Sequence, residues 1–495
     1  MELAAASPMP ASPTLASPTV RRPRVAVLGG GFCAANLATL LARKGLLDTI
    51  DLTIVDPSPR IGRGVAYDAH PVHRLNVPAG KMSMFPDDPD HFLRWARERR
   101  PETAPSDFLS RNLYGDYVEE VYGREAAPRV EHLVARADDL HRRDGGWVIA
   151  LAGGGAITAD LVVLATGNAP PAHPANISVG VRGDPRYVAA PWRGDALRGI
   201  GTTDTVLVVG ASLTALDVLL TLREQGHTAK VTLLSRRGVL PGPHHEGPAA
   251  PVLLPEVPAG ADLRTWMRVV RTAAHAAVAH GLPWQSVIDA LRPVTSDIWA
   301  GLGADDRRRF LVHVRPWWDA HRHRAPSDVL RYAAQLQAAG ALDVRAGTIA
   351  SAVADPHGIH VRVRRRGRSF AETWRVDHVI NATGPDLDLA RTGGPLYRNL
   401  FVRGHVAQDP DRLGLEAEAS GAAIGGFGQV TPGLFVLGGA RRAQRWENNA
   451  VPDLRAQADA LAALLGVDHL RRDLGDSVTP DSSAPPARRC HPRLG

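Results

Sequence analysis

The sequence predicts an α/β protein made of two copies of one strand–turn–helix–strand unit, the second interrupted by a mostly helical insertion. Three observations predict it. An apolar strand, a glycine turn, a helix and a second strand run from Arg24, and the same series runs again from Thr205. Each half closes on a strand ending Ala-Thr-Gly, at Gly167 and at Gly384. Between Pro241 and Gly340 the pattern is that of helices.

The elements follow in order. Val25–Leu28 is a strand, and Gly29, Gly30 and Gly31 turn it into a helix over Ala34–Lys44 that ends at the C-cap Gly45. Ile50–Val55 is the second strand and stops at Asp56. After an insertion, Pro71–Val130, strands at Trp147–Leu151 and Leu161–Leu164 complete the half. The second half repeats this with Val206–Val209, Gly210, a helix Leu213–Gln225 ended by Gly226, and Val231–Leu234 leading to Ser235, Arg236 and Arg237. Its insertion carries helices at Asp262–His280, Trp284–Leu291, Ala304–Val314 and Ser327–Ala339, with Ser327 and Asp328 after Pro326 as the N-cap of the last. Ile359–Arg364 alternates apolar residues with Arg, as a half-exposed strand does, and His378–Asn381 closes the half. A glycine-rich loop then reaches Leu434–Gly439 and a helix, Val451–Leu465, which return to the first unit. The expected division is a tail at 1–22, a first domain at 23–200, a second at 201–392 with its insertion at about 241–340, the return at 393–470, and a tail at 471–495.

The spacing Gly29-x-Gly31-x-x-Ala34 has a physical reading. The first glycine permits a tight turn, the second lets backbone approach a pyrophosphate, and the small third residue lets helix and strand pack. The helix N-terminus offers free N–H groups and partial positive charge to the phosphates. A carboxylate at Asp56 can accept hydrogen bonds from ribose hydroxyls. Together these describe a Rossmann-like dinucleotide site suited to FAD, with Thr166 and Gly167 ending the neighbouring strand beside it. The second turn, Gly210-Ala211-Ser212, has Ser212 in place of the second glycine, and its second strand ends on guanidiniums at Arg236 and Arg237. Those suit a 2′-phosphate, so this site reads as one for NADPH. The plain alternatives are a glycine-rich turn without a ligand and a solvated arginine loop.

Composition narrows the class. Of 495 residues, 44% are apolar and 22% charged, ordinary for a soluble globular protein, and no apolar run is long enough to span a bilayer. Residues 1–20 are rich in Ala, Ser and Pro without a basic leader or apolar core, so no secretory signal is expected and a cytoplasmic location is. The net charge of +7 does not argue for nucleic acid, because the arginines are scattered and only Lys44, Lys81 and Lys230 are lysines. The two cysteines, Cys33 and Cys490, form no C-x-x-C pair, which argues against a dithiol electron relay. No serine elbow, kinase-type loop or metalloprotease motif is present.

The chain resembles the two-dinucleotide-binding-domain flavoproteins, and more specifically bacterial FAD/NAD(P)-binding proteins related to flavin-dependent N-hydroxylases and monooxygenases. The resemblance spans about Arg24 to Ala463 and rests on five stretches: Asp56–Tyr67, Leu75–Met82, Leu234–Gly238, His313–Arg324, and Arg445–Glu447 with Ala450–Arg455. It implies that Gly62 and Gly64 line the flavin and that the Asn76–Met82 loop covers its ring system. It also implies that Gly438, Gly439 and the segment from Asn448 face the ribityl and pyrimidine end. Related flavoproteins often carry an Asp where Gly439 stands, which leaves the ribityl contact to backbone. No metal is expected.

The stretch His313–Arg324 offers Arg315, His321, Arg322 and His323 as candidates for a substrate face. Arginines interleaved with His321 and His323 would repel a cation, so the open choices are an anion- or substrate-binding face and a structural network. His244, His245 and Glu246 read as a loop. The resemblance implies a flavin hydroxylase in which NADPH reduces FAD and a flavin C4a-hydroperoxide delivers oxygen from O₂ to a small polar metabolite. A urate-type purine is the favoured substrate, with an amine or amino-acid nitrogen as the alternative. The alternatives are a reductase that inserts no oxygen and a non-enzymatic flavin redox sensor.

Overall fold

The computed structural model describes residues 21–247, 251–258, 260–447 and 449–473. Asn448 and nearly all of the two expected tails lie outside them. Among the described residues, sixteen strands form three sheets. In chain order they are β1 (Arg24–Leu28), β2 (Asp51–Asp56), β3 (Val130–Val134), β4 (Ala137–Arg143), β5 (Gly146–Leu151), β6 (Ala156–Ala159), β7 (Leu161–Leu164) and β8 (Tyr187–Val188). They continue as β9 (Val206–Val209), β10 (Val231–Ser235), β11 (Leu342–Asp355), β12 (Gly358–Arg365), β13 (Glu372–Val376), β14 (His378–Asn381), β15 (Ala422–Ile424) and β16 (Val430–Val436).

The first sheet runs β15-β16-β7-β1-β2-β3, parallel except at the edge strand β15. Successive side chains of β1 enter different cores. Val25 and Val27 pack beneath the helices α1 (Phe32–Arg43), α2 (Arg111–Glu125) and α10 (Val451–Asp473), whereas Ala26 and Leu28 pack on the other face. A strand covered on both faces needs an unbroken apolar run, which is what Val25–Leu28 of β1 and all of β7 are. The meander β4-β5-β6 covers that second face, so the expected strand Trp147–Leu151 belongs to a separate antiparallel sheet.

The second sheet runs β13-β12-β11-β10-β9-β14-β8 and repeats the design around β9 and α3 (Leu213–Glu224). Gly45 and Gly226 take φ of +70° and +74° where α1 and α3 end. The insertion carries α4 (Leu263–Ala279), α5 (Trp284–Leu291), α6 (Thr295–Gly301), α7 (Ala304–Arg309), α8 (Arg315–Arg322) and α9 (Ser327–Ala338). Three details depart from expectation. Helix α6 was not expected. The helix expected over Ala304–Val314 continues to Arg322 through a π turn at Phe310–Val314, where Pro316 withholds the N–H that an α ladder would use. Pro326, not Ser327, stands at the N-cap of α9, and no side chain caps it.

A buried polar seam joins the halves. Arg111 at the start of α2 pairs with Asp217 of α3 at 3.1 Å, and His73 Nε2 lies 2.8 Å from Thr221 Oγ1. No helix among the described residues is long and apolar enough to cross a membrane.

Candidate functional site

The strands β1, β7 and β16 are parallel neighbours, so their C-terminal ends bring Gly29, Thr166 and Gly438 to one edge of the first sheet. Ligands in such sheets bind at that edge. Gly29 has φ +109°, and a Cβ there would collide with the Ala165 carbonyl, so only glycine fits. Gly31 enters α1 with no side chain capping the helix, which leaves first-turn N–H groups for a ligand. A Cβ on Gly31 would point into the space in front of Gly64, whose Cα is 3.8 Å from it. The Gly62 N–H donates to the Gly30 carbonyl at 2.8 Å and ties that second glycine loop across the first. Ala34 is fully buried where α1 meets the sheet.

Asp56 is held by two backbone donors: the Gly30 N–H at 2.6 Å on one oxygen and the Ser58 N–H at 2.7 Å on the other. Each oxygen keeps lone-pair capacity for a ribose hydroxyl. Thr166 and Gly167 are exposed at the same edge, and Thr166 Oγ1 hydrogen bonds with Tyr397 OH at 2.6 Å. Gly439 has a local reason: a Cβ there would lie 2.7 Å from Asn168 Oδ1 and 3.6 Å from Asn449 Oδ1. Two carboxamides thus stand where a side chain at 439 would lie, and Asn168 directly follows the first Ala-Thr-Gly.

Within the Asn76–Met82 loop, Asn76 is half-buried, but Met82 is 1% exposed and packed into the core beneath α1. The Met82 side chain therefore belongs to the core of the first unit. The loop instead receives His244, whose ring lies 4.4 Å from that of Phe108 and faces the Asn76 backbone. Burial pushes the His244 pKa down to about 4 and keeps it neutral. The sequence offered no signal for this beyond a His-His pair in a loop.

The second turn has the geometry of the first. Gly210 has φ +130°, and a Cβ there would collide with the Ala382 carbonyl, the counterpart of Ala165. Gly29 donates its N–H to Val55 and Gly210 donates to Leu234, so Asp56 and Ser235 occupy equivalent positions. The carboxylate of one half is thus a neutral hydroxyl in the other. Ser212 is exposed at the N-cap of α3 and makes no cap bond. Arg236 and Arg237 follow and line a cleft of about 390 Å³ with Val312 and Pro316 of the insertion.

The insertion's own cluster lies against the loop that follows Gly439. The Arg322 guanidinium pairs with the buried Glu447 carboxylate, which also accepts from Trp318 Nε1. Arg315 pairs with Asp319 at 3.3 Å, and His323 Nε2 stands 3.7 Å from both Asp319 and Glu447. Asp319, His323 and Glu447 converge to within 4.8 Å, close enough to surround a cation. Both carboxylates, however, already face guanidiniums, and the buried Arg442 lies nearby over Trp446 at 4.6 Å. That balance disfavours a metal ion. Burial lowers the His323 pKa and pushes Arg442 down to about 10. The structure does not bring His321 to this cluster. It is exposed, bonds the Trp317 carbonyl and packs on Trp284, because two residues of helix turn it about 200° from Asp319.

Comparisons with known proteins agree with this architecture. Residues 26–169 match the family described as FAD-NAD(P)-binding. No protein of curated function matches the sequence. Among solved structures, an ornithine hydroxylase from Pseudomonas aeruginosa is similar with a TM-score of 0.63 at 13% identity, over 91% of this chain and all of that one. An ornithine N-hydroxylase from Kutzneria is similar with a TM-score of 0.58 at 17% identity, over 92% of this chain and all of that one. A cadaverine monooxygenase from Erwinia amylovora gives 0.61 at 11%, over 95% of this chain and all of that one. The fold is that of the two-dinucleotide-binding flavoproteins.

Proposed function

We propose that the chain is an FAD-dependent, NADPH-using monooxygenase that hydroxylates a small polar substrate, with an amine nitrogen as the favoured target. One observation carries this reading: two equivalent glycine turns differ at the position that meets the ribose, Asp56 in one and Ser235 followed by Arg236 and Arg237 in the other. The first suits a dinucleotide with free ribose hydroxyls, the second one with a 2′-phosphate.

The residues fit FAD at the first turn. The Gly31–Gly64 gap is a cradle that side chains would fill, α1 presents open N–H groups, and Asp56 is oriented by backbone. Thr166, Asn168, Gly438 and Gly439 stand where the flavin end would lie, with the Asn76 loop and His244 alongside. Held there, FAD would supply the transfer of two electrons from NADPH to O₂, with one oxygen atom going to substrate and the other to water. Ser212 and the N-terminus of α3 would receive the NADPH pyrophosphate, and Arg236 and Arg237 its 2′-phosphate. Arg315, Arg322 and His323, with Asp319 and Glu447, form the proposed substrate face, and neutral His323 offers a hydrogen bond without net charge.

The neighbours acting on ornithine and cadaverine favour an amine over urate, and nothing in the cluster selects a purine. Cys33 argues against a disulfide reductase: it is the only cysteine among the described residues, and burial pushes its thiol up to about 12. Anaerobic mixing of the flavin-loaded protein with NADPH or NADH tests the cofactor assignments. Bleaching of the flavin by NADPH well before NADH is expected; no bleaching by either would end this reading.

A further inference from the structure

The cleft beside Arg236 and Arg237 carries more positive charge than that loop supplies. Strand β10 pairs with β11 as far as Ser235 opposite Ala346. Strand β11 then runs on with Gly347 opposite Arg365 and Thr348 opposite Arg364 of β12. The loop after β10 and the hairpin after β12 therefore flank the same short stretch of β11. Arg236 and Arg237 face Arg364, Arg365, Arg366 and Arg368 around about 390 Å³, with no carboxylate in the lining. Only Arg365 has an acid close by, Glu372 at 3.7 Å. The other five have no ion-pair partner among the described residues, although arginines elsewhere commonly do, as Arg63 with Glu119 and Arg186 with Asp184. Like charges gathered around one space repel one another, and an anion between them relieves that repulsion. A phosphate monoester has three outward oxygens, enough to accept from two sides, and guanidiniums present matching donors.

We propose that the β12–β13 hairpin, through Arg364, Arg366 and Arg368, is the second half of a two-sided clamp on the nucleotide's 2′-phosphate. This rests on the NADPH reading and extends it: the preference for NADPH over NADH is set from the hairpin as well as from Arg236 and Arg237. Gly367, with φ +79°, forms the hairpin tip that places Arg366 and Arg368 on either side of it.

Two probes that transfer no hydride test the clamp, adenosine 2′,5′-bisphosphate and AMP, titrated calorimetrically into the flavin-loaded protein. The variants are R364A/R366A/R368A and R236A/R237A, all at exposed or half-buried positions, with circular dichroism confirming the fold. The hairpin variant should bind the bisphosphate about ten-fold or more weakly, bind AMP within about two-fold of wild type, and lose part of the salt dependence. If the hairpin variant binds the bisphosphate as wild type does while R236A/R237A loses it, the clamp is one-sided and this inference fails, with the NADPH reading intact. If wild type does not prefer the bisphosphate to AMP, the NADPH reading itself falls.

Discussion

Replacing His73 by glutamine should flatten the loss of stability that accompanies a shift from pH 7 to pH 5. His73 sits in the seam between the halves, bonded to Thr221 and close to Arg111 and Asp217. Burial, aided by the Arg111 charge, lowers its pKa from 6.5 to about 3. The folded protein then binds fewer protons than the unfolded chain between those values, so stability rises with pH through that window and is lost on acidification. At pH 5 the loss amounts to about 2 kcal/mol, growing to about 4 kcal/mol near pH 3. Asp217 works the other way. Burial raises its pKa from 3.8 to about 6, so the folded state gains protons first, and lowering the pH to 5 returns about 1 kcal/mol. The glutamine keeps a donor or acceptor for Thr221 but cannot titrate. Urea unfolding at pH 7, 6 and 5 should show the variant losing about 2 kcal/mol less than wild type across that range, and Asp217→Asn losing more. Equal pH slopes for wild type and His73→Gln would refute the reasoning.

Gly31→Val should abolish FAD binding, because a branched Cβ would enter the gap before Gly64; a purified variant that stays yellow would remove that site from the account. R236A/R237A should raise the KM for NADPH by about ten-fold or more and leave that for NADH nearly unchanged, in steady-state oxidation assays; equal effects would mean that the loop contacts something other than the 2′-phosphate. Glu447→Ala should cost about 3–5 kcal/mol in denaturant unfolding, since it strands the Arg322 guanidinium in a nearly buried place. A loss below about 1 kcal/mol would show that solvent reaches Arg322.

The fold was legible because its signals are local. Unbroken apolar runs gave β1, β7 and β9, and Gly45 and Gly226 marked where α1 and α3 stop. Asp56 and Ser235 could be compared because each closes the strand after a glycine turn. Contacts between distant segments left no such trace. His73 and Thr221 are 148 residues apart, and neither neighbourhood announces the other. Asn168 became meaningful only once Gly439 was found against it. The alternation of Ile359–Arg364 fits a half-exposed strand, and only its pairing with β11 shows that Arg364 faces the cleft beside Arg236. Nothing in the sequence of the Asn76–Met82 loop shows that the Met82 side chain turns into the core. A run of His and Arg likewise does not show which side chains meet, because a helix distributes neighbours around its axis and turns His321 away from Asp319.

The central claim is that electrons pass from NADPH through FAD to oxygen and leave one oxygen atom on an amine. It is tested by measuring NADPH oxidation, O₂ uptake and hydroxylamine formation together while a panel of diamines, basic amino acids and urate is supplied. The account predicts that one amine stimulates all three in a one-to-one-to-one ratio. NADPH oxidation that yields only peroxide with every compound, or that runs equally fast without oxygen once another acceptor is supplied, would contradict it.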